Sequence, residues 1–127
     1  MAKIAPECRY SEEHEWVATR SDSMAWVGVS AVATDALGEI VYLDLPEAGS
    51  EVTAGSTCGE IESTKSVSDL YSPVSGTVVE VNQEAIDNPA LVNEDPYGAG
   101  WLFTVEVTSE GPLLSAEEYA SKNGGEL

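Results

Sequence analysis

One hundred and twenty-seven residues make a single domain, and with 43 % of them hydrophobic, roughly two thirds of the unfolded surface can be buried, leaving roughly 6,500 Å² exposed. Two cysteines, Cys8 and Cys58, are too few and too scattered for a disulfide framework or a four-ligand zinc site. Twenty-three Asp and Glu against five Lys and Arg give a formal charge of −18, which repels nucleic acid and anionic membranes and suits a solvated surface or steering toward basic proteins.

The first twenty residues hold Glu7, Glu12, Glu13 and Glu15 and lack the apolar core of a signal peptide. No stretch approaches the ~20 apolar residues of a membrane span. The reading is a cytoplasmic protein, prokaryotic or already processed. Strands are predicted at Trp16–Thr19, Ala25–Val29, Glu39–Leu45, Thr57–Glu62, Ser66–Tyr71, Thr77–Val81 and Leu102–Val107. Alternation places Val41, Leu43 and Leu45 on one face, and does the same for Val79 with Val81 and for Phe103 with Val105 and Val107. Ser30 caps a short helix, Ala31–Leu37, closed by Gly38. Ser115-Ala116-Glu117-Glu118 has the capping-box form and opens a C-terminal helix over about 115–122, before a frayed Asn123-Gly124-Gly125. The core is expected over about 14–108, with short strands favouring a sandwich or barrel.

An internal repeat organises these strands. Gly38-Glu39-Ile40-Val41-Tyr42-Leu43-Asp44 resembles Gly76-Thr77-Val78-Val79-Glu80-Val81-Asn82, thirty-eight residues on. Each copy continues into a loop with an apolar residue, Val52 or Leu91, and returns as a strand, Glu60-Ile61-Glu62 or Trp101-Leu102-Phe103. Two copies are too few for a solenoid, so two half-domains closing one flattened barrel fit better.

Lysine is scarce: Lys3, Lys65 and Lys122 only. Lys65 lies between two predicted strands, among small polar neighbours, where a hairpin tip is expected. An unhindered amine there suits acylation by a modifying enzyme, although an ordinary turn lysine has the same composition. No other constellation carries chemistry. His14 is the only histidine and has no Ser/His/Asp or Cys/His pattern around it. Glu12, Glu13, His14 and Glu15 make a weak metal set, and Cys58 reads as a buried small hydrophobe. Gly98-Ala99-Gly100 precedes no helix pattern, and Trp16, Trp26 and Trp101 read as core. The residues read as those of a non-enzyme.

The segment Glu62-Ser63-Thr64-Lys65-Ser66-Val67-Ser68-Asp69-Leu70-Tyr71-Ser72-Pro73-Val74-Ser75-Gly76 closely resembles the lipoylation segment of the glycine cleavage system H protein family. His14-Glu15-Trp16-Val17, Val27–Ser30, Leu37–Pro46 and Asn93–Leu102 resemble four further blocks of that family, in the same order. The resemblance implies a lipoyl/biotinyl-type barrel-sandwich hybrid, mostly β, with lipoate in amide linkage on Lys65. It implies a non-catalytic carrier of glycine catabolism and one-carbon metabolism, monomeric, working with three enzymes. A glycine decarboxylase (P protein) loads the aminomethyl group, an aminomethyltransferase (T protein) passes its methylene to tetrahydrofolate, and dihydrolipoamide dehydrogenase (L protein) reoxidises the dithiol. Glu15 and Asp69 match positions lining the cleft where the loaded arm rests, and Ala36 stands where some relatives carry histidine. Glu62 and Gly76 match positions linked to recognition by lipoylating enzymes or to hairpin shape; for Gly76 a turn needing an unhindered backbone is an equal reading. Three other roles stay open: a biotin carrier, a relay of lipoyl or octanoyl groups to 2-oxoacid dehydrogenase subunits, and an unmodified interaction module. Thr64 and Ser66 stand where a biotin carrier normally has methionine.

Overall fold

Period-two runs interrupted by Gly, Pro and Asn fold into nine strands and four short helices among the described residues, 3–21 and 23–125, of the computed structural model. In chain order these are β1 (Arg9–Tyr10), β2 (Glu15–Ser21), β3 (Met24–Val29), α1 (Ala31–Leu37), β4 (Ile40–Asp44), β5 (Glu51–Val52), β6 (Thr57–Ser63), β7 (Val67–Tyr71), β8 (Val74–Val81), α2 (Gln83–Asp87), α3 (Ala90–Glu94), β9 (Phe103–Glu110) and α4 (Ala116–Asn123). All strand pairs are antiparallel. One sheet has six strands in the order β1-β2-β3-β9-β8-β5 and the other three in the order β4-β6-β7. The two enclose an apolar core that includes Val27, Ile40, Leu43, Ile61, Leu70, Val78, Phe103 and Val105.

The internal repeat is real in three dimensions, down to its irregularities. In β4 the register against β6 slips between Ile40 and Tyr42, so Val41 is an unpaired bulge residue. In β8 the register against β9 slips between Val78 and Glu80, so Val79 is one too, at the equivalent position. These bulges overturn the simple alternation. Ile40 and Leu43 point inward while Val41 is 47 % exposed, and Val78 is buried while Val79 is 41 % exposed. They also shift the return strands: Leu43 pairs with Ile61 and Val81 with Phe103, so Ile61 corresponds to Phe103 and not to Leu102.

A second apolar cluster lies on the outer face of the six-stranded sheet. Strand β2 feeds both cores, Val17 inward and Trp16 with Ala18 outward. Ile4, Cys8 and Tyr10 cover that face from the N-terminal side, and Ala116, Tyr119 and Ala120 of α4 complete it. Helix α4 begins with both capping-box bonds, Glu118 N to Ser115 Oγ at 3.2 Å and Ser115 N to Glu118 Oε1 at 3.0 Å. It runs to Asn123, and Gly124 takes the left-handed φ of 66° as its C-cap, so these residues finish the helix and are not a loose tail. None of the four helices is long and apolar enough to cross a membrane.

Candidate functional site

The β6–β7 hairpin places Lys65 at its tip. Ser63 makes the turn: its Oγ accepts the backbone N–H of Lys65 at 3.1 Å and of Ser66 at 3.2 Å, and Ser63 N donates to Ser66 O at 2.8 Å. The tip is tied to the body by Thr64 N donating to Glu39 O at 3.0 Å. The segment around Glu39 is in turn clamped from α3: Asn93 Oδ1 accepts Ile40 N at 2.9 Å and Asn93 Nδ2 donates to Gly38 O at 2.8 Å. Lys65 is exposed, and its stem passes over Gly38, where an added Cβ would stand 3.3 Å from Lys65 Cε. Gly38 ends α1 at φ 81°, a conformation favouring glycine, so the lysine stem lies across a backbone that presents no side chain.

Beside this hairpin lies a cleft of about 160 Å³, lined by Val29, Ile61, Ala33, Ala36 and Leu37 and closed by Glu13–Glu15 with Ser68 and Asp69. The apolar part comes from the inner ends of β3 and β6 and one side of α1. Ala36 contributes a methyl at the exposed rim. Glu15 and Asp69, distant in sequence, line this same cleft, Glu15 only 2 % exposed and Asp69 open to solvent on edge strand β7.

Glu15 is the chemically unusual group. Burial pushes its carboxyl up to about 8, against partial relief from hydrogen bonds to Ser11 and the Tyr71 backbone. Ser11 Oγ donates to Glu15 Oε1 at 2.7 Å and accepts Glu15 N at 3.1 Å. The folded state therefore holds this proton from about 4.5, the ordinary carboxyl value, up to about 8, while the unfolded chain releases it. That makes folding progressively less favourable across this window and evenly so above it. Glu15→Gln, which removes the ionisation, is expected to melt higher than the parent by a margin that grows from pH 5 to pH 8 and then levels. A margin constant over that range in thermal melts contradicts the assignment.

The cleft walls are fixed by a contact that sequence reasoning missed. His14 takes a left-handed φ of 73°, rare for a side-chain-bearing residue, and its Nδ1 lies 2.6 Å from Tyr119 Oη. Tyr119 Oη is also 2.7 Å from Ser30 Oγ, which accepts Ala33 N at 3.3 Å as the α1 N-cap. Burial pushes the His14 imidazole down, keeping it neutral and able to accept from the Tyr119 hydroxyl. Stacked on Tyr10 at 4.4 Å between ring centroids, Tyr119 thus fastens α4 to the start of β2 and the start of α1. His14 is occupied by this contact, and Glu15 is turned into the cleft, so the Glu12–Glu15 run is split between two structural tasks.

The remaining expectations fall in separate places. Cys58 lies half-buried, packed against the main core, and burial with Glu15 nearby pushes its thiol up to about 12, far from a nucleophile's range. Glu62 stands exposed on β6, three residues before Lys65. Gly76 is not in the Lys65 hairpin and not in a turn: it pairs with Val52 and Val107 inside β8. A Cβ there would overlap the Glu106 carbonyl oxygen and approach Val105 Cγ1 to 2.7 Å. The Asn93–Leu102 block locks the two halves together. Besides the Asn93 clamp, Tyr97 Oη accepts Ala31 N at 3.0 Å, and Pro96 O accepts Trp16 Nε1 at 2.8 Å. Trp16 is fully buried, whereas Trp26 and Trp101 are half-buried against the outer cluster.

Two β halves with matched bulges, and a pinned hairpin carrying an exposed lysine, define a lipoyl/biotinyl-type barrel-sandwich hybrid. The crystal structure of a glycine cleavage system H protein from Mycobacterium marinum matches with a TM-score of 0.90 at 49 % identity, over 95 % of this chain and 99 % of that one. Residues 8–124 match the glycine cleavage H-protein family model. The glycine cleavage system H protein of Corynebacterium aurimucosum is 54 % identical over 98 % of both chains, and that of Thermobifida fusca 56 % identical over 97 % of this chain and 98 % of its own. The chain belongs to the glycine cleavage H-protein family.

Proposed function

We propose that this chain, as one carrier domain spanning 1–127, bears lipoate in amide linkage on Lys65 and shuttles the aminomethyl group of glycine. The donor is a glycine decarboxylase and the acceptor an aminomethyltransferase, with dihydrolipoamide dehydrogenase restoring the disulfide. It acts in the cytoplasm as a monomer and makes no bond by catalysis of its own. Membership of the H-protein family supports this reading, and the observation that carries it is the exposed Lys65 amine on a Ser63-pinned tip next to a cleft with an apolar wall and a buried carboxyl.

The residues present suit that group. Val29, Ala33, Leu37 and Ile61 offer apolar surface to a hydrocarbon arm, and Glu15 and Asp69 offer carboxyls to a cationic amine. When attached, lipoate supplies a redox-active disulfide that takes up and releases the aminomethyl group. Glu15 then does electrostatic work. Its carboxyl is protonated near neutrality while the cleft holds no cation, and an amine of opposite charge arriving there stabilises the ionised form. The apolar wall keeps water from the bound cargo. Lys65 loses its charge on acylation, and no described residue forms an ion pair with it, so attachment breaks no salt bridge. A tether on this tip keeps the reactive group at high effective concentration near each enzyme's active site.

The test has two parts. Intact mass of protein from its native host, with fragmentation, is expected to show one lipoyl group on Lys65 that gains two hydrogens on reduction. The lipoylated protein is then expected to support exchange of the glycine carboxyl carbon with bicarbonate by a glycine decarboxylase. A biotinyl adduct, or no adduct under lipoate-replete growth, overturns the proposal.

A further inference from the structure

The two halves of the repeat close their strand edges by different means. Ile40 pairs with Ser63 and Val78 with Val105, at equivalent positions of the halves. In the second half backbone seals the outer edge: Val78 N donates to Ser50 O at 2.8 Å and Val78 O accepts Gly49 N at 2.7 Å. In the first half the Asn93 side chain takes that place. Its amide accepts Ile40 N through Oδ1 and donates to Gly38 O through Nδ2, one orientation satisfying both groups. A side-chain amide thus stands where a strand would be, beside the lysine hairpin.

The peptide it grips carries the hold onward. The Ile40 N–H and the Glu39 carbonyl belong to one planar trans unit and point to opposite sides of it. Asn93 Oδ1 takes the N–H at 2.9 Å, and Thr64 N donates to the carbonyl at 3.0 Å. A chain of hydrogen bonds therefore runs from α3, through one peptide, to the residue before Lys65. Bonds linked head to tail in this way polarise and strengthen one another. The second Asn93 bond, to Gly38 O at 2.8 Å, ends on the residue that closes α1 and lies under the lysine stem. Ala33, Ala36 and Leu37 of that helix form a wall of the cleft. One amide ties the base of the arm and the wall of the cleft to the same point. That point is itself anchored, because Val92 beside it is fully buried in the main core and the Asp95 carboxylate accepts Ala99 N at 2.9 Å.

We infer that Asn93 is a positioning residue for the arm: it holds the Lys65 tip in register with the cleft, so that cargo on the arm is sheltered. The inference rests on the carrier function proposed above and adds the residue that aligns its two parts. A tip released from Glu39 keeps its amine and its turn, which Ser63 makes, and so can still be acylated. What it loses is alignment: the end of the arm spends more time in solvent, and water removes the cargo. In that loss the oxygen of water becomes the carbonyl of formaldehyde and the carbon–sulfur and carbon–nitrogen bonds of the aminomethyl group break. The two protons of water go to the thiol and to the departing amine, which leaves as ammonium.

The experiment follows amide hydrogen exchange in the full unacylated chain, and ammonium release from the same chain once lipoylated and loaded by a glycine decarboxylase. Intact mass checks for one lipoyl group per molecule. In the parent, the Ile40 and Thr64 amides are expected to show matched protection, because release of the shared peptide frees both. Asn93→Ala is expected to speed Thr64 exchange about tenfold and ammonium release about fivefold. Asn82→Ala is the control. It also removes two bonds to carbonyls, to Ala99 O at 2.9 Å and to Trp101 O at 2.7 Å, but touches neither the tip nor residues 38–40. Both rates are expected to stay within about twofold of the parent in that variant. A parent chain that accepts no lipoate overturns the carrier proposal itself. With a lipoylated parent, unchanged ammonium release in Asn93→Ala overturns the positioning role alone, even where Thr64 exchange has quickened. Equal acceleration by Asn82→Ala overturns it too. So does a parent in which Thr64 is protected less than Ile40 by over about tenfold, a result that needs no folded variant.

Discussion

Lys65→Arg is expected to give a protein with no lipoyl adduct and no glycine exchange, melting within about 2 °C of the parent. The substitution isolates nucleophilicity from charge. A guanidinium keeps the positive charge at the tip but stays protonated and does not attack an acyl donor. The hairpin does not depend on the lysine side chain, because its bonds run through Ser63 Oγ, the Ser66 carbonyl and Glu39 O. The lysine stem only crosses Gly38, where an arginine stem fits equally. Intact mass, circular dichroism melts and the exchange assay give the three readouts. An adduct persisting on Lys3 or Lys122, or exchange surviving without Lys65, contradicts the assignment.

Gly76→Ala is expected to destabilise the fold by about 3 kcal/mol and lower the melting temperature by about 10 °C. A methyl at Gly76 meets the Glu106 carbonyl oxygen and Val105 Cγ1, both in the strand paired with β8, and neither can withdraw without breaking the ladder. The position also sits beside a register shift between Ser75 and Gly76, where β8 already bends against β9. The same variant separates structure from recognition. If Gly76 serves the fold, the protein that remains folded at low temperature is lipoylated at the parental rate. A variant that melts like the parent but is acylated slowly would place Gly76 in enzyme recognition.

The long strands were legible because their apolar residues recur with period two and are punctuated by glycine and proline, as in Phe103, Val105 and Val107. Two-residue strands such as Arg9–Tyr10 and Glu51–Val52 carry no period, and α2 and α3 are five residues each, too short to show a helical one. The bulges at Val41 and Val79 were invisible for a related reason: a valine that leaves the pleat looks the same in sequence as one that stays. In the site, Lys65 stood out through the scarcity of lysine, and Glu15 and Asp69 through family resemblance. Ser11 was one turn away from notice, since a hydroxyl four residues before a buried carboxyl is a natural partner for it. Asn93 showed only as the start of a family-like block, with no hint of its clamp, and Tyr119 gave no signal, because each acts on backbone or side chains more than fifty positions away and only the topology brings them there.

The Tyr119 contact sets an order of events during synthesis. Tyr119 lies 105 residues after His14 and 89 after Ser30 in the chain, yet it fastens both. The lysine hairpin leaves the ribosome and can close on local bonds well before α4 exists. A nascent chain therefore displays the proposed attachment point, Lys65, while the walls of the adjoining cleft still lack their fastening. The place proposed to receive the group matures first, and the place proposed to shelter it matures last.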